Sequence, residues 1–243
     1  MKERGIIMTA WSVVAIRARR KTQTRRLIKP QPHHSVRLAE HVALNGWAWC
    51  FGELERKVPF LCPWGVPGDL PWVRETYTVV PLDMMARDHE VRYKADDGTK
   101  VLRGGWGSGP EIHIDFASEA EDYPCEKYGV WRSPRFMFKW AARTWMEITD
   151  VRVQQVQDIS EADAIAEGIE GDPESGWKNY LWHGEPRIPQ KLIAGWDWQW
   201  STYCEPIGSF SSLWELIHGP GAWERNDWVW AISFELVEKE TAA

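Results

Sequence analysis

Apolar positions along the chain follow two periods, and the switches between them mark the predicted elements. Residues 5–9 (Gly-Ile-Ile-Met-Thr) read as a short strand. A helix follows, with Trp11, Val14, Ala15 and Ala18 at the i, i+3, i+4, i+7 spacing of one face. Thr9 or Ser12 caps it, and Arg17, Arg19 and Arg20 gather at its end, where cations suit the helix dipole. Lys21 to Ile28 reads as a turn into a strand stopped by Pro30 and Pro32. The turn residues of 62–69 deliver the chain into a strand from Leu70 to Val80, rich in β-branched and aromatic side chains. Trp145 to Val153 is another strand, and its alternation switches phase between Ile148 and Val151, which predicts a bulge. The clearest helix lies in 158–168, where Ser160 with Asp163 resembles a capping box and Gly168 suits the C′ position. Ser211 to His218 reads as a short helix ended by Gly-Pro-Gly. The last strand, Trp228 to Val237, alternates cleanly, with Trp228, Trp230, Ile232, Phe234 and Leu236 on one face.

Between these elements lie segments of weak or polar pattern, read as insertions at about 31–57, 81–130 (apart from Glu90 to Ala95) and 171–207. Short strands with two short helices and loop-rich insertions predict one compact α+β domain over 1–243, built on a small β-barrel. A chain of 243 residues buries a core without metal or disulfide staples. No apolar run approaches the ~20 residues of a membrane span. The start has a short apolar stretch with charges on both sides and no small-residue cleavage site. The expectation is a cytoplasmic protein with no membrane partner. Cys50, Cys62, Cys125 and Cys204 are scattered without a CxxC pair, and the spacing of His33 and His34 does not suggest ligands. Reduced thiols, no metal and no cofactor are therefore expected.

Charge is unevenly placed. Residues 1–30 carry nine basic side chains against one acid, whereas the whole chain has a net charge of −6. A concentrated basic strip in an acidic protein points to a local anion site rather than a coat for long duplex DNA. Tryptophan, at 18, outnumbers the 6 tyrosines and 7 phenylalanines together, so many indoles must be core. Trp196, Trp198 and Trp200 alternate; in an extended segment they share one face, as a stacking surface for bases or a lid over the core.

Phosphate loops, dinucleotide fingerprints, HExxH, GxSxG and kinase signatures are absent, and Gly104-Gly105-Trp106-Gly107 lacks the strand–helix context of a nucleotide site. The informative string is Arg19-Arg20-Lys21-Thr22-Gln23-Thr24-Arg25-Arg26. If Lys21 opens a strand, Lys21, Gln23 and Arg25 face one side and Thr22, Thr24 and Arg26 the other, while a turn at 21–23 would bring Lys21 toward Thr24. A lysine crowded by Arg20, Arg25 and Arg26 loses proton affinity and becomes a candidate base for a hydroxyl such as Thr24. Read alone, such a string is more often a solvated strand end or a phosphate contact.

This string resembles the signature of the ASCH family, a branch of the PUA-like β-barrel superfamily, whose motif runs roughly Gly-x-Lys-x-x-Glu-x-Arg. Arg19 stands at the glycine, Lys21 matches, Thr24 occupies the Glu position and Arg26 matches. The threonine variant is similar to the small bacterial N(4)-acetylcytidine amidohydrolases of that family, which also use a Glu on the helix after a central strand, a setting like that of Glu167. Gly68-Asp69 leading to Glu75, Trp145 to Gly168, and Leu213 to Leu236 look like longer phage- and prophage-borne members. The resemblance covers about half of the chain and leaves out the insertions. It implies a PUA-like (ASCH) small β-barrel, with Lys21 as general base, Thr24 as nucleophile and Glu167 as proton donor to a leaving amine. It also implies that Arg26 holds a carbonyl or phosphate oxygen. In such a barrel alternate residues line the pocket, so Trp72 or Arg74 contacts a base; the alternative is that Trp72 is core and Arg74 pairs with Glu75 at the surface.

The expected function is a hydrolase removing an acyl group from a modified nucleobase or nucleoside. The competing expectation is a module binding single-stranded or modified RNA or DNA, with Arg25 or Arg26 on phosphates. An RNA-cleaving nuclease with Lys21 as base is a third.

Overall fold

The computed structural model describes residues 1–32, 36–41, 46–51, 58–81, 89–102, 129–174, 176–181, 202–203 and 205–238. In chain order the elements are β1 (Gly5–Ile7), α1 (Ala10–Arg17), β2 (Gln23–Leu27), β3 (Val36–His41), β4 (Gly46–Phe51), β5 (Val58–Phe60), β6 (Trp72–Arg74) and β7 (Tyr77–Pro81). They continue with β8 (His89–Tyr93), β9 (Thr99–Leu102), β10 (Trp145–Gln155), α2 (Glu161–Ala166), β11 (Gly171–Asp172), β12 (Gly176–Lys178), β13 (Thr202–Tyr203), α3 (Pro206–His218) and β14 (Trp228–Val237). The protein is thus mixed α and β with a mostly sheet core and few helices. Among the described residues no sheet closes into a barrel, and no helix is long and apolar enough to cross a membrane.

The chain divides into two compact units. Unit 1 comprises Met1–Ala18, Gly68–Glu147 and Glu235–Ala243; unit 2 comprises Arg19–Pro67 and Ile148–Phe234. In unit 1, β1 runs parallel to β6, and β6 meets the start of β10 with Trp72 opposite Trp145. β7, β8 and β9 form an antiparallel meander, so the expected insertion after residue 81 contributes sheet through Leu102. Trp72, Tyr77, Val91, Tyr93, Met137, Ala141, Ala142 and Trp145 make the core of this unit.

The strand expected over Leu70 to Val80 is two strands in two sheets, broken at Glu75 and Thr76. Glu75 is the cause: its carboxylate turns inward to Arg143 (Nε–Oε1 2.9 Å, Nη2–Oε2 2.8 Å), and its N–H donates to the Met137 sulfur. Helix α1 also differs from its predicted face. Thr9 caps it, as expected, but the buried side chains are Ser12, Val13, Ala15 and Ile16, while Ala18 is exposed. The small serine, hydrogen-bonded to Thr9, lets the face rotate inward by one position.

In unit 2, β14 lies between β10 and β2. It pairs antiparallel with β2 from Val229–Leu27 to Ser233–Gln23. Its ends match the sequence reading, yet Val229 through Ile232 are all buried, because a central strand is covered on both faces. Ile28, Cys62, Ile148, Val153, Trp230 and Ile232 form the core, in which Cys62 is buried. Burial along β10 shifts from even to odd positions between Ile148 and Val153, the phase change read from the sequence. The segment read as an insertion at 31–57 contains the meander β3–β4 and leads into β5. Helix α3 starts five residues before the expected Ser211, with Pro206 at its first turn, where the missing N–H costs nothing. Two of its serines are buried donors: Ser209 Oγ bonds Lys178 O and Ser212 Oγ bonds Ser209 O. His33, His34, Gly104 to Gly107, Cys125, Trp196, Trp198, Trp200 and Cys204 lie outside the described residues, as does the side chain of Cys50.

Candidate functional site

Arg19 follows α1 with φ +58°, the left-handed region that favours glycine. Arg19→Gly should therefore stabilise the fold by up to about 1 kcal/mol, read as a higher midpoint in denaturant. Beyond it the backbone of Thr22 is held on both sides: its N–H donates to Ala166 O at 2.8 Å, and its C=O accepts from the Phe234 N–H at 2.8 Å. This tether lays the entry of β2 against the C-terminus of α2.

Helix α2 forms because Ser160 caps it, accepting from the Asp163 N–H, and Gly168 at φ +82° ends it. Asp163 and Glu167 are four residues apart, hence on one helix face. Lys21 Nζ donates at 2.6 Å to Glu167 Oε2 and at 2.6 Å to the Glu167 backbone carbonyl. A cation thus closes the negative end of the helix. Arg25 Nη1 donates to the other carboxylate oxygen, Oε1, at 3.0 Å. The side chains of Lys21, Glu167 and Arg25 are 3%, 5% and 0% exposed, so one carboxylate lies buried between two cations.

A polar network continues outward. Arg25 also donates to Gln23 Oε1 (2.6 Å) and Asp163 Oδ2 (3.1 Å), and its guanidinium lies 5.6 Å from the Phe210 ring centre. Gln23 Nε2 bridges Asp163 Oδ1 and Ser233 Oγ, each at 3.1 Å, and Arg152 reaches both Asp163 oxygens at 3.2 Å. Burial pushes the Asp163 carboxyl up, but hydrogen bonds from Gln23 and Arg152 and the charges of Arg25 and Arg152 outweigh it, so the group lies below its ordinary value. Burial likewise pulls Lys21 below the ordinary lysine value; Glu167 opposes the shift, and Arg26 and Arg25 add to it.

Thr24 is buried and sits opposite Ile232 in β14. Strand alternation places Thr24 and Arg26 on the face of β2 opposite Gln23 and Arg25. Arg26 is half-buried; burial lowers its pKa and the field of Glu167 raises it. Lys21, Thr24, Arg25, Arg26 and Glu167 therefore all belong to unit 2. Trp72 and Arg74 belong to unit 1, where Trp72 is core and the Arg74 guanidinium lies 4.9 Å from its ring centre. Glu75 pairs with Arg143 rather than with Arg74. Glu167, at the end of a short helix, is not the solvated residue its position suggests.

Sequence reasoning did not single out Gln23 or Arg152 and read Asp163 only as part of a helix cap. The signal was present: residues 21, 23 and 25 share a strand face, and 163 and 167 share a helix face. Among the described residues no group of three or more His, Cys, Asp or Glu side chains could hold a metal ion. Comparison with known proteins finds no family model, no curated protein and no solved structure that matches the chain.

Proposed function

We propose that the protein is an ASCH-type, PUA-like hydrolase that removes an acyl group from a modified nucleobase or nucleoside, with Lys21 as base, Thr24 as nucleophile and Glu167 as acid. The observation that carries this reading is the 2.6 Å contact between Lys21 Nζ and Glu167 Oε2, two side chains 146 positions apart and shielded from water. The left-handed backbone of Arg19, at the position where the resembled motif has glycine, supports the family. Transfer of one proton from Nζ to Oε2 yields a free amine and a neutral carboxyl together, the states that the base and the acid require. The amine then takes the Thr24 hydroxyl proton as Oγ attacks the acyl carbon, and the carboxyl protonates the departing nitrogen. Water cleaves the acyl-threonine. The scheme requires Thr24 Oγ within hydrogen-bond reach of Nζ in the substrate complex.

The test is release of cytidine from N(4)-acetylcytidine by the purified protein. Lys21→Ala, Thr24→Ala and Glu167→Gln should each lower kcat by about 10²–10⁴-fold. Because base and acid share a single proton, losing it through the folded pKa of Lys21, which lies below the 10.5 of a free lysine, removes the acid, so kcat/KM in the wild type should fall as pH rises through that value. In the window between those values the unfolded chain binds the additional proton, so the contribution of Lys21 to stability increases with pH. Absence of turnover on acylated nucleosides and acylated RNA overturns the reading.

The second reading, a module that binds modified or single-stranded nucleic acid in the same basic region, has one observation in its favour. His218 lies below its ordinary pKa, first through burial and then through the charges of Arg225 and Arg26; Asp227, paired with Arg225 at 3.3 Å, opposes the shift and Lys29 adds to it. Three cations around one carboxylate suit a phosphate. Arg25, fully enclosed and bonded to two carboxylates, contributes less to that reading than Arg26 does.

A further inference from the structure

Residues 128–146 contain no acidic side chain, whereas the chain as a whole carries a net charge of −6. The same stretch interleaves Arg132, Arg135 and Lys139 with Trp131, Phe136, Phe138 and Trp140. Its backbone is extended at Met137 (φ −73°, ψ 129°) and Phe138 (φ −79°, ψ 152°), so neighbouring side chains leave on opposite sides. Met137 enters the core, while Phe136 and Phe138 remain 64% and 38% exposed and Trp131 43% exposed. Phe138 stacks on Trp140 with centroids 5.7 Å apart and planes within 12°.

Exposed rings of this size are usually a sign of looseness, but this backbone is tied down. Phe136 O accepts from Tyr77 Oη (2.9 Å), Arg135 O from Arg74 Nη1 (3.3 Å) and Ala141 O from Tyr93 Oη (2.5 Å). Lys100 Nζ donates at 3.0 Å to both Trp140 O and Ala142 O, and Arg132 pairs with Tyr77 through both backbone groups. Rings presented on a fixed backbone lose little entropy when a partner docks.

We propose that this face of unit 1 docks single-stranded nucleic acid, with bases on the rings of Phe136, Phe138 and Trp131 and phosphates on Arg135 and Lys139. An apolar peptide would use the rings and leave the cations idle; a duplex would offer phosphates but hide its base faces. An unpaired strand engages both. Lys139 is held by Glu3 in a half-exposed ion pair of the kind that contributes little, so a phosphate readily replaces that partner. The surface belongs to unit 1 and the Lys21–Glu167 pair to unit 2, and the proposal does not depend on the acyl-hydrolase reading.

The test is fluorescence anisotropy of a labelled oligouridylate of about 15 nucleotides with the full chain at about 50 mM salt. Expected is saturable binding that weakens as salt rises. Phe136→Ala with Phe138→Ala should weaken it at least tenfold at unchanged thermal unfolding, since both rings are exposed. Arg135→Glu with Lys139→Glu should weaken it and flatten the salt dependence, a second measurement that holds should the aromatic pair prove destabilising. Lys21→Ala should leave affinity unchanged, which separates this surface from the proposed catalytic one. Wild-type affinity in the aromatic or the charge variant overturns the proposal, as does absence of binding at tens of micromolar protein. Self-association abolished by Phe136→Ala would make a second copy the occupant and equally overturn it.

Discussion

Glu167→Ala should destabilise the protein by about 3–5 kcal/mol, because it leaves two buried cations facing a void. Lys21 and Arg25 each give a charge-assisted bond to this one carboxylate, and none of the three side chains has water to fall back on. Lys21 retains the Glu167 backbone carbonyl and Arg25 retains Asp163, so the loss is severe without being total. A denaturant titration reads it as a lower midpoint at similar slope. Replacing both members of the pair, Lys21→Met with Glu167→Leu, should cost clearly less than Glu167→Ala alone, since a filled apolar pair leaves fewer unmatched charges. A double variant less stable than the single one would show that the ion pair itself, rather than the cost of stranding its partners, holds α2 on β2. The same reasoning governs the choice of variant for activity: loss of turnover in Glu167→Ala mixes folding with chemistry, whereas Glu167→Gln keeps the side-chain volume and one acceptor.

The second large effect is expected in unit 1. Arg143→Met strands the Glu75 carboxylate, which is nearly inaccessible and receives both Nε and Nη2 of that arginine, and should cost about 3–5 kcal/mol. Adding Glu75→Gln should restore part of this, because a neutral amide carries no charge to desolvate. Arg143 also bonds Asp96 at 2.7 Å and lies 4.0 Å from the Tyr93 ring centre. Burial raises the Asp96 pKa, but hydrogen bonds from Arg143 and the Gly98 N–H bring it below the ordinary 3.8. The unfolded chain therefore holds the additional proton just below that value. Stability from Asp96 is complete above it and falls as pH drops through the folded value. Arg143→Met should flatten that acid limb, which thermal melts between pH 5 and pH 2 check.

The limits of β14 were legible because a dense apolar strand between two turns has one physical reading. Thr9 and Ser160 were legible as caps because a hydroxyl before an amphipathic run satisfies orphan N–H groups. The break between β6 and β7 was not: alternation puts Glu75 on the apolar face of Val73 and Tyr77, and only Arg143, 68 positions away, makes a carboxylate there affordable. Periodicity is blind to such distant partners. Arg25 failed to declare itself for the same reason, since an arginine on a sheet's end strand ordinarily extends into water. Glu167 was found through resemblance to a motif; its spacing alone pointed the other way. What hydrophobic pattern encodes is which face is buried. Which charges are buried together depends on topology, and that emerges only once the chain has folded.

Thr22 offers a practical handle on the centre beside it. Its main chain is clasped from two directions while its side chain is exposed. A cysteine introduced there and coupled to a spin label or fluorophore would ride on a rigid mount one residue from Lys21, and its spectrum would register events at that amine without occupying the space in which they occur.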